Sequence, residues 1–133
     1  MWVVIYTQNF QQLPIQTILS FLKEFDGVSL WFWDEDEILK DYDSCVQAFF
    51  RATEGQRRML GCYVYDFGGG KPATVEAVKH QLEKGRALLE NGEIEGMYIH
   101  CNPCFGLKNP FEAAEYCRAW MKENGDVLIE RAE

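Results

Sequence analysis

The sequence predicts an α/β protein in which four strand-helix units form a parallel sheet. Three observations lead to this fold class. Short β-branched and aromatic runs alternate with longer amphipathic segments, and turn-forming glycine and proline residues separate them. Parallel neighbouring strands need a crossover, which is usually a helix. The chain has 133 residues, about the length of one domain, so we expect a single α/β domain over residues 1–133.

The first two units occupy the N-terminal part of the chain. The continuous apolar run 2–7 is typical of a strand buried on both faces. A helix with a clear apolar stripe follows from Pro14. The second strand is predicted over 28–33. The acidic run 34–37 then suits the start of a second helix, because carboxylates stabilise a helix N-terminus, and this helix is expected to end near Gly55.

The third unit contains the longest predicted helix. Its strand is predicted over 59–67 and is closed by the three glycines 68–70. Pro72 starts the helix, since proline is favoured in the first turn. Asn91 and Gly92 end it, because both residues tolerate the left-handed conformation that terminates helices.

The fourth unit completes the pattern and leaves two architectures open. Its strand is predicted over 97–100 and its helix over 110–123, and residues 126–130 can form a short fifth strand. Four units are half of an eight-unit TIM barrel. Four units with a fifth strand also match a flavodoxin-like doubly wound sheet. We favour the half barrel, because the polar edges of Trp31 and Trp33 suit a cleft better than a sealed core. A half barrel needs a partner, so a homodimer or another homo-oligomer is expected.

Composition and charge exclude several classes of partner. The chain has 13 basic and 21 acidic residues and a net charge of −8, whereas nucleic acids and anionic membranes attract clustered basic residues. No apolar run approaches the ~18 residues of a membrane span, and the N-terminus has no signal-peptide pattern. We therefore expect a soluble, cytoplasmic protein. The cysteines are 5 in number and scattered, which favours reduced thiols over a disulfide framework.

The candidate site lies where the predicted strands end. In parallel α/β folds, ligands bind at the carboxyl ends of the strands. Acids, aromatic rings and amides collect there in this sequence, a mixture that is typical of sugar-processing sites. The candidate catalytic residues are Asp34, Glu35 and Asp66. The candidate ligand-binding residues are Gln8, Trp33, Tyr65, Phe67, His100 and Asn102. The alternative is that the acids only cap a helix and stabilise a turn.

A glycine-rich loop gives a second candidate site. Gly69, Gly70 and Lys71 stand between a strand and a helix, where main-chain N–H groups can hold a phosphate. The loop is not a Walker A motif, because Pro72 stands where Ser or Thr would follow the lysine. The alternative is a flexible turn without a ligand.

A Cys-x-x-Cys motif follows the fourth strand. Cys101 and Cys104, with His100, supply three potential metal ligands, whereas a structural zinc site needs four. A thioredoxin-like site would need a helix directly after the motif, and the next predicted helix starts only at Pro110. We therefore predict neither a metal nor another cofactor.

Several segments carry a resemblance to a known group of proteins. The stretch 60–68, LGCYVYDFG, is followed by His80-Gln81 and by NGEIEGM over 91–97; together they resemble the later strands of uncharacterised bacterial TIM-barrel proteins of the glycoside-hydrolase-like type. The run SLWFWD over 29–34 is similar. The resemblance covers residues 28–124. It implies a barrel whose carboxyl-end rim holds a sugar-like ligand, and it identifies neither the acid nor the base.

These observations support one leading function and two alternatives. The leading function is carbohydrate binding or glycoside hydrolysis by a half-barrel domain, with enzymatic activity left open. One alternative is a non-catalytic, oligomerising α/β module. The other is a binder of phosphate-bearing ligands that uses the loop 68–71.

Overall fold

A computed structural model of the chain describes residues 1–100, 111–127 and 129. Within these ranges, strands and helices alternate along the chain as predicted. The strands are β1 (Trp2–Tyr6), β2 (Gly27–Trp31), β3 (Arg57–Tyr63), β4 (Tyr65–Asp66), β5 (Lys71–Pro72) and β6 (Gly96–His100). The helices are α1 (Thr7–Gln12), α2 (Ile15–Leu22), α3 (Glu35–Lys40), α4 (Tyr42–Ala52), α5 (Val75–Glu90) and α6 (Glu112–Asn124).

Four strands form one parallel sheet in the order β1-β2-β3-β6. The register pairs Ile5 with Leu30 and Leu30 with Leu60, and Leu60 pairs in turn with Met97. The strands of the sheet therefore follow one another in chain order, and helices connect them. The predicted α/β class with a parallel sheet is confirmed. The short strands β4 and β5 form a separate antiparallel pair.

Side chains alternate between the two faces of the sheet, as they do along any strand. One face, here the Leu30 face, carries the aliphatic core residues. Ile5, Val28, Leu30 and Leu60 on this face form one buried cluster with residues of α2, α3, α4 and α5, namely Ile18, Leu22, Ile38, Tyr42, Val46, Phe49 and Ala77. A second cluster joins β3 to α5 and α6 through Cys62, Val64, Val78, Leu82, Ala113, Ala114 and Cys117. Apolar burial on the Leu30 face thus fixes the helices to the sheet.

The opposite face, here the Trp31 face, carries large rings and glycines. Its members are Trp2, Val4, Tyr6, Gly27, Ser29, Trp31, Met59, Gly61, Tyr63, Gly96, Tyr98 and His100. Three large side chains each lie over a glycine of the next strand: Trp2 over Gly27, Trp31 over Gly61 and Met59 over Gly96. A Cβ at Gly61 would stand 2.0 Å from the Trp31 ring. Glycine is therefore required there by the close approach of the indole.

Two predicted elements are divided in the structure. The second helix was expected to be continuous, but Asp41 separates α3 from α4 with non-helical φ −121° and ψ 7°. Its N–H donates to the carbonyl of Glu37 and its carbonyl accepts from the N–H of Cys45. Asp41 thus ends one helix and begins the next. The break allows α4 to start with Tyr42, whose buried ring stacks on Phe32 with centroids 4.6 Å apart.

The third strand ends earlier than the prediction over 59–67. It leaves the sheet after Tyr63, and Tyr65 and Asp66 pair instead with Pro72 and Lys71. The physical reason is the turn between them, because the Asp66 carboxylate accepts the N–H of Gly69 at 3.0 Å and folds the chain back. Pro72 therefore lies in a strand, and Thr74 caps the following helix by accepting the N–H of Ala77.

The remaining boundaries agree closely with the prediction, apart from one additional helix. The end of α5 at Asn91 and the positive φ of 73° at Gly92 confirm the predicted stop. The additional helix is α1, which has no regular apolar spacing; at its start the side-chain Oδ1 of Asn9 accepts the N–H of Tyr6 at 2.8 Å. The predicted fifth strand over 126–130 lies partly outside the described residues. Within them, no helix is both long and apolar enough to cross a bilayer.

Candidate functional site

Five of the predicted site residues line one cleft at the carboxyl end of the sheet. This acidic cleft has a volume of about 550 Å³. The loop after β2 and the β4-β5 turn form its walls. The lining residues are Asp34, Glu35, Asp36, Asp66, Gly68, Gly69 and Lys71. The structure thus brings the three candidate acids together with two of the candidate phosphate-binding residues.

Each candidate acid accepts a hydrogen bond from at least one main-chain N–H group with one of its two carboxylate oxygens. Asp34 Oδ1 accepts the N–H of Glu37 at 2.9 Å and caps α3. Asp66 Oδ1 accepts the N–H groups of Glu35 at 3.3 Å and of Gly69 at 3.0 Å. Glu35 Oε2 accepts the N–H of Thr74 at 2.8 Å. These hydrogen bonds fix the carboxylates, and in the described part of the chain they leave the second oxygen of each without a hydrogen bond to protein.

The glycine-rich turn is tied to the same carboxylates. The N–H of Gly68 donates to the carbonyl of Trp33 at 3.1 Å, and the N–H of Gly69 donates to Asp66. A Cβ at Gly69 would lie 2.1 Å from Asp66 Oδ2, so any other residue there would displace the Asp66 carboxylate. Gly70 has a positive φ of 64°, which glycine adopts without strain. Two of the N–H groups that would hold a phosphate are therefore already engaged.

Aromatic residues neighbour the acidic cleft in sequence: Trp33 precedes Asp34 and Phe67 precedes Gly68, although no ring is among the residues that line the cleft. Trp33 contacts Phe67 with ring centroids 5.5 Å apart, and Phe67 contacts Tyr65 at 5.2 Å. Tyr6 meets the Trp33 ring edge-on at 5.6 Å. All four rings are half-buried. We call Tyr6, Trp33, Tyr65 and Phe67 the aromatic cluster. Half-buried rings of this kind retain apolar surface on which a flat ligand can stack.

His100 belongs to a neighbouring set of rings on the Trp31 face. Its imidazole meets the rings of Trp31 and Tyr63 edge-on, with centroids 5.7 and 5.3 Å apart. Tyr63 contacts Phe67 at 4.7 Å, so the aromatic cluster continues into this set. Gln8 lies on α1 and is half-buried. Asn102, Cys101 and Cys104 lie outside the described residues.

Two buried polar atoms on the Trp31 face have no partner. Among the described residues, the Ser29 hydroxyl and the Trp31 indole N–H are buried without a hydrogen bond. Ser29 is 3% exposed and Trp31 is 7% exposed. A buried donor without an acceptor costs about 1 to 3 kcal/mol. The Trp31 face therefore has hydrogen-bonding capacity that the described residues do not satisfy.

A buried carboxylate next to the cleft was missed in the sequence. Glu37 belongs to the acidic run 34–37 that is predicted to start the second helix, yet it is buried. Its two oxygens accept hydrogen bonds from Thr7 Oγ1 at 2.5 Å and from Gln11 Nε2 at 2.9 Å. Glu37 thereby joins α3 to α1. The spacing Asp34-x-x-Glu37 resembles a capping box and is the signal that could have set Glu37 apart from its neighbours.

Metal-binding geometry is not found in the part of the chain that the structure describes. No group of three or more His, Cys, Asp and Glu side chains in these ranges is arranged to hold an ion. The cysteines in these ranges, Cys45, Cys62 and Cys117, are free thiols.

Comparisons with known proteins give no assignment. No protein-family model matches the chain, and no match was found among curated protein sequences or solved structures. The resemblance to glycoside-hydrolase-like TIM-barrel proteins remains a prediction.

Proposed function

We propose that the carboxyl-end rim of the sheet binds a sugar-like ligand. The carrying observation is that the acidic cleft and the aromatic cluster are built from the same loops, since Trp33 and Phe67 directly precede the cleft residues Asp34 and Gly68. They meet at Trp33, whose carbonyl accepts the N–H of the cleft residue Gly68. A sugar presents hydroxyl donors at its rim and C–H groups on its faces. Carboxylate oxygens and exposed ring faces complement these two kinds of group.

The fixed carboxylates favour recognition of hydroxyl groups. Asp34, Glu35 and Asp66 each have one oxygen held by a main-chain N–H. The second oxygen can accept a ligand hydroxyl without losing the first hydrogen bond, so binding needs little reorganisation. The negative charge of this cleft opposes a phosphate group, and Lys71 is the one basic residue among its lining residues. A neutral polyol therefore suits the cleft better than a phosphorylated ligand.

We further propose that the sheet is half of a TIM-like barrel. The sequential strand order β1-β2-β3-β6 supports this architecture, because a flavodoxin-like sheet has the order 2-1-3-4-5 with its first strand inside the sheet. The core clusters support it as well. Residues of α2, α3, α4 and α5 are buried with Ile5, Val28, Leu30 and Leu60 of the Leu30 face, as expected when these helices cover one side of the strands.

The binding proposal is tested by titrating a panel of neutral mono- and oligosaccharides against the protein while recording tryptophan fluorescence. Trp33→Ala and Phe67→Ala are expected to weaken binding by about two- to tenfold each, since one aromatic contact contributes about 0.5 to 1.5 kcal/mol. Trp120→Phe is the matched control, because Trp120 lies against α5 on a different part of the molecule. The proposal fails if no saccharide changes the fluorescence, or if Trp33→Ala binds as well as the unaltered chain.

If the protein is an enzyme, the proposed saccharide site would hydrolyse glycosides. Two carboxyl groups about 5 to 9.5 Å apart are required for it. If Asp34 and Asp66 act in this way, Asp34→Asn and Asp66→Asn will abolish turnover of aryl glycosides, whereas they will only weaken saccharide binding, because an amide replaces the oxygen that accepts the ligand hydroxyl. Asp43→Asn, an exposed acid on α4, serves as the control. Saccharide binding without turnover by the unaltered chain would assign a binding module and exclude hydrolysis of the glycosides tested.

A further inference from the structure

The acidic cleft carries a negative charge that its own residues do not balance. Four acids and one lysine line it, so their formal charges sum to −3. Asp36 is offset by Lys40, with which it forms an ion pair at 3.0 Å. Asp34, Glu35 and Asp66 have no such partner among the described residues, since their hydrogen bonds come from main-chain N–H groups. The cleft therefore combines unpaired anionic groups with a volume of about 550 Å³.

The helix α3 offsets only part of this charge. The run 34–37 forms the start of α3 and contains four carboxylates, whereas a helix N-terminus acts as roughly half of one positive elementary charge. The last of the four, Glu37, is buried and accepts hydrogen bonds from the neutral Thr7 hydroxyl and Gln11 amide. Capping of α3 thus explains the position of these acids but leaves most of their charge unbalanced.

The burial of Asp66 is an independent indication of a ligand. Asp66 is only 6% exposed, and a buried carboxylate is costly unless a partner compensates its charge. Its Oδ1 accepts two main-chain N–H groups, whereas its Oδ2 has no hydrogen bond with the described residues. Oδ2 is nevertheless accessible, because the fully buried polar atoms without a partner in this part of the chain belong to Ser29 and Trp31. A buried carboxylate therefore presents one free oxygen to the cleft.

Two glycines keep the space beside the carboxylates open. A Cβ at Gly69 would lie 2.1 Å from Asp66 Oδ2, and a Cβ at Gly68 would lie 2.5 Å from the Cβ of Asp34. Side chains at these two positions would occupy the place next to the acids. The glycine-rich turn thus leaves room for a ligand atom beside a free anionic oxygen.

We propose that the ligand of the acidic cleft is an amino sugar, a saccharide that carries a protonated primary amine. The ligand class named here rests on the proposed saccharide function. Asp66 Oδ2 accepts the ammonium group, because hydrogen bonds between oppositely charged groups are stronger than neutral ones. The free oxygens of Asp34 and Glu35 accept neighbouring N–H or O–H donors of the same ligand. The aromatic cluster supplies rings for the apolar faces of the sugar.

Two other classes of cation suit the cleft less well. No three acids in the described part of the chain are arranged to share one ion, so a ligand with several spaced donors is favoured over a metal ion. A linear polyamine has spaced ammonium groups but no flat apolar face. Such a face is what Trp33 and Phe67 complement, and these rings directly precede the cleft residues Asp34 and Gly68. An amino sugar supplies both kinds of group.

A pair of matched oligosaccharides tests the ligand class. The β-1,4-linked glucosamine trisaccharide and cellotriose have the same rings, but at about pH 6 only the first carries protonated amines. Calorimetry at low salt is expected to give at least about tenfold tighter binding of the glucosamine trisaccharide. Equal affinities would overturn the amino-sugar ligand and leave the saccharide proposal standing. If neither trisaccharide binds, both proposals are wrong.

Charge variants test the role of the cleft residues. Asp66→Asn retains an oxygen for the main-chain N–H groups and removes the charge, so it is expected to reduce the preference for glucosamine trisaccharide at least about fivefold. Asp43→Asn is the matched control, because Asp43 is an exposed acid on α4 that forms an ion pair with Lys84 outside the cleft. Equal reductions in the two variants would mean that net charge alone sets the preference, which would overturn the proposal.

A variant of opposite sign supplies a second test. Lys71→Gln removes the one lysine among the lining residues, at an exposed position, so the preference for glucosamine trisaccharide should rise about twofold or more. A fall would contradict the proposal. Spermidine is the competitor without a sugar ring, and affinity equal to that of glucosamine trisaccharide would overturn an amino sugar as the ligand. Circular dichroism verifies that each variant is folded, and Lys71→Gln decides the matter if Asp66→Asn does not fold.

Discussion

At the scale of single residues, the contact between Trp31 and Gly61 is the tightest point of the sheet. Alanine at Gly61 would bring its Cβ within 2.0 to 2.4 Å of three atoms of the Trp31 ring. The indole must then rotate or the strands must separate. Overpacking of a well-packed site costs about 1 to 3 kcal/mol. We expect Gly61→Ala to lower the free energy of unfolding by this amount, as measured by urea denaturation.

Two comparisons isolate the steric cause of that loss. Gly70→Ala has no heavy atom within 4 Å of the added Cβ but stands at a φ of 64°, so it should lose only about 1 kcal/mol from backbone strain. Adding Trp31→Leu to Gly61→Ala should make the glycine substitution less costly than it is alone, because the clashing ring is removed. Equal costs in the two backgrounds would contradict a clash with Trp31.

At the scale of elements, Asp34 has a structural role that can be separated from a role in ligand binding. Its carboxylate caps α3 through the N–H of Glu37. We expect Asp34→Ala to destabilise the protein by about 1 kcal/mol, whereas Asp34→Asn should be nearly neutral because asparagine is an equally good cap. Thermal unfolding of the two variants measures this difference. If both are equally destabilised, the negative charge rather than the cap hydrogen bond is what stabilises the helix.

The side chain of Gln81 on α5 forms hydrogen bonds with the last residue of β3. It is buried, its Oε1 accepts the N–H of Tyr63 at 3.1 Å, and its Nε2 donates to the carbonyl of Tyr63 at 3.1 Å. The side chain thus bonds both main-chain groups of one strand residue. Gln81→Leu removes both hydrogen bonds and should cost about 2 to 3 kcal/mol in urea denaturation. Gln47→Leu, at an exposed position of α4, is expected to change stability by less than about 0.5 kcal/mol. Similar losses in the two variants would contradict this role.

At the scale of the whole molecule, the sequence predicts the sheet better than its connections. The runs around Val4, Leu30 and Leu60 are continuous and apolar, which indicates strands. The expectation that the first run is buried on both faces is wrong, because β1 is an edge strand on which Val4 is 49% exposed. The break at Asp41 and the helix α1 depend on single polar contacts, such as that of Asn9 with the N–H of Tyr6. Such contacts leave no periodic pattern in the sequence.

The same contrast holds for the candidate site. The meeting of Asp34, Glu35 and Asp66 could be predicted because strand ends of a parallel sheet share one edge. Their role as main-chain acceptors could be predicted in part, because the sequence allows a helix cap at Asp34 and a turn at Asp66. The hydrogen bond from the N–H of Thr74 to Glu35 could not be predicted, since it depends on the fold of the β4-β5 turn. The partners of Glu37 could not be predicted either, because Thr7 and Gln11 are distant in sequence.

The free energy of unfolding depends on pH through the buried thiols and one buried phenol. Burial raises the pKa of the Cys62 thiol well above its ordinary value and that of Cys117 to about 11. Burial likewise raises the pKa of the Tyr42 phenol. In the unfolded chain these groups titrate near their ordinary values. Above about pH 8.5, the folded protein therefore holds more protons than the unfolded one, and the free energy of unfolding falls as pH rises.

We expect the free energy of unfolding to drop by about 3 to 4 kcal/mol between about pH 7.5 and pH 10, as measured by urea denaturation. Other groups also ionise in this range and increase the net negative charge of −8, so a control must isolate the thiols. The variant Cys62→Ala with Cys117→Ala lacks both protected groups and retains the rest of the titration. Its pH dependence should be shallower than that of the unaltered chain. An equal slope in the two proteins would mean that repulsion among surface charges, and not protection of the buried thiols, governs the loss of stability in alkali.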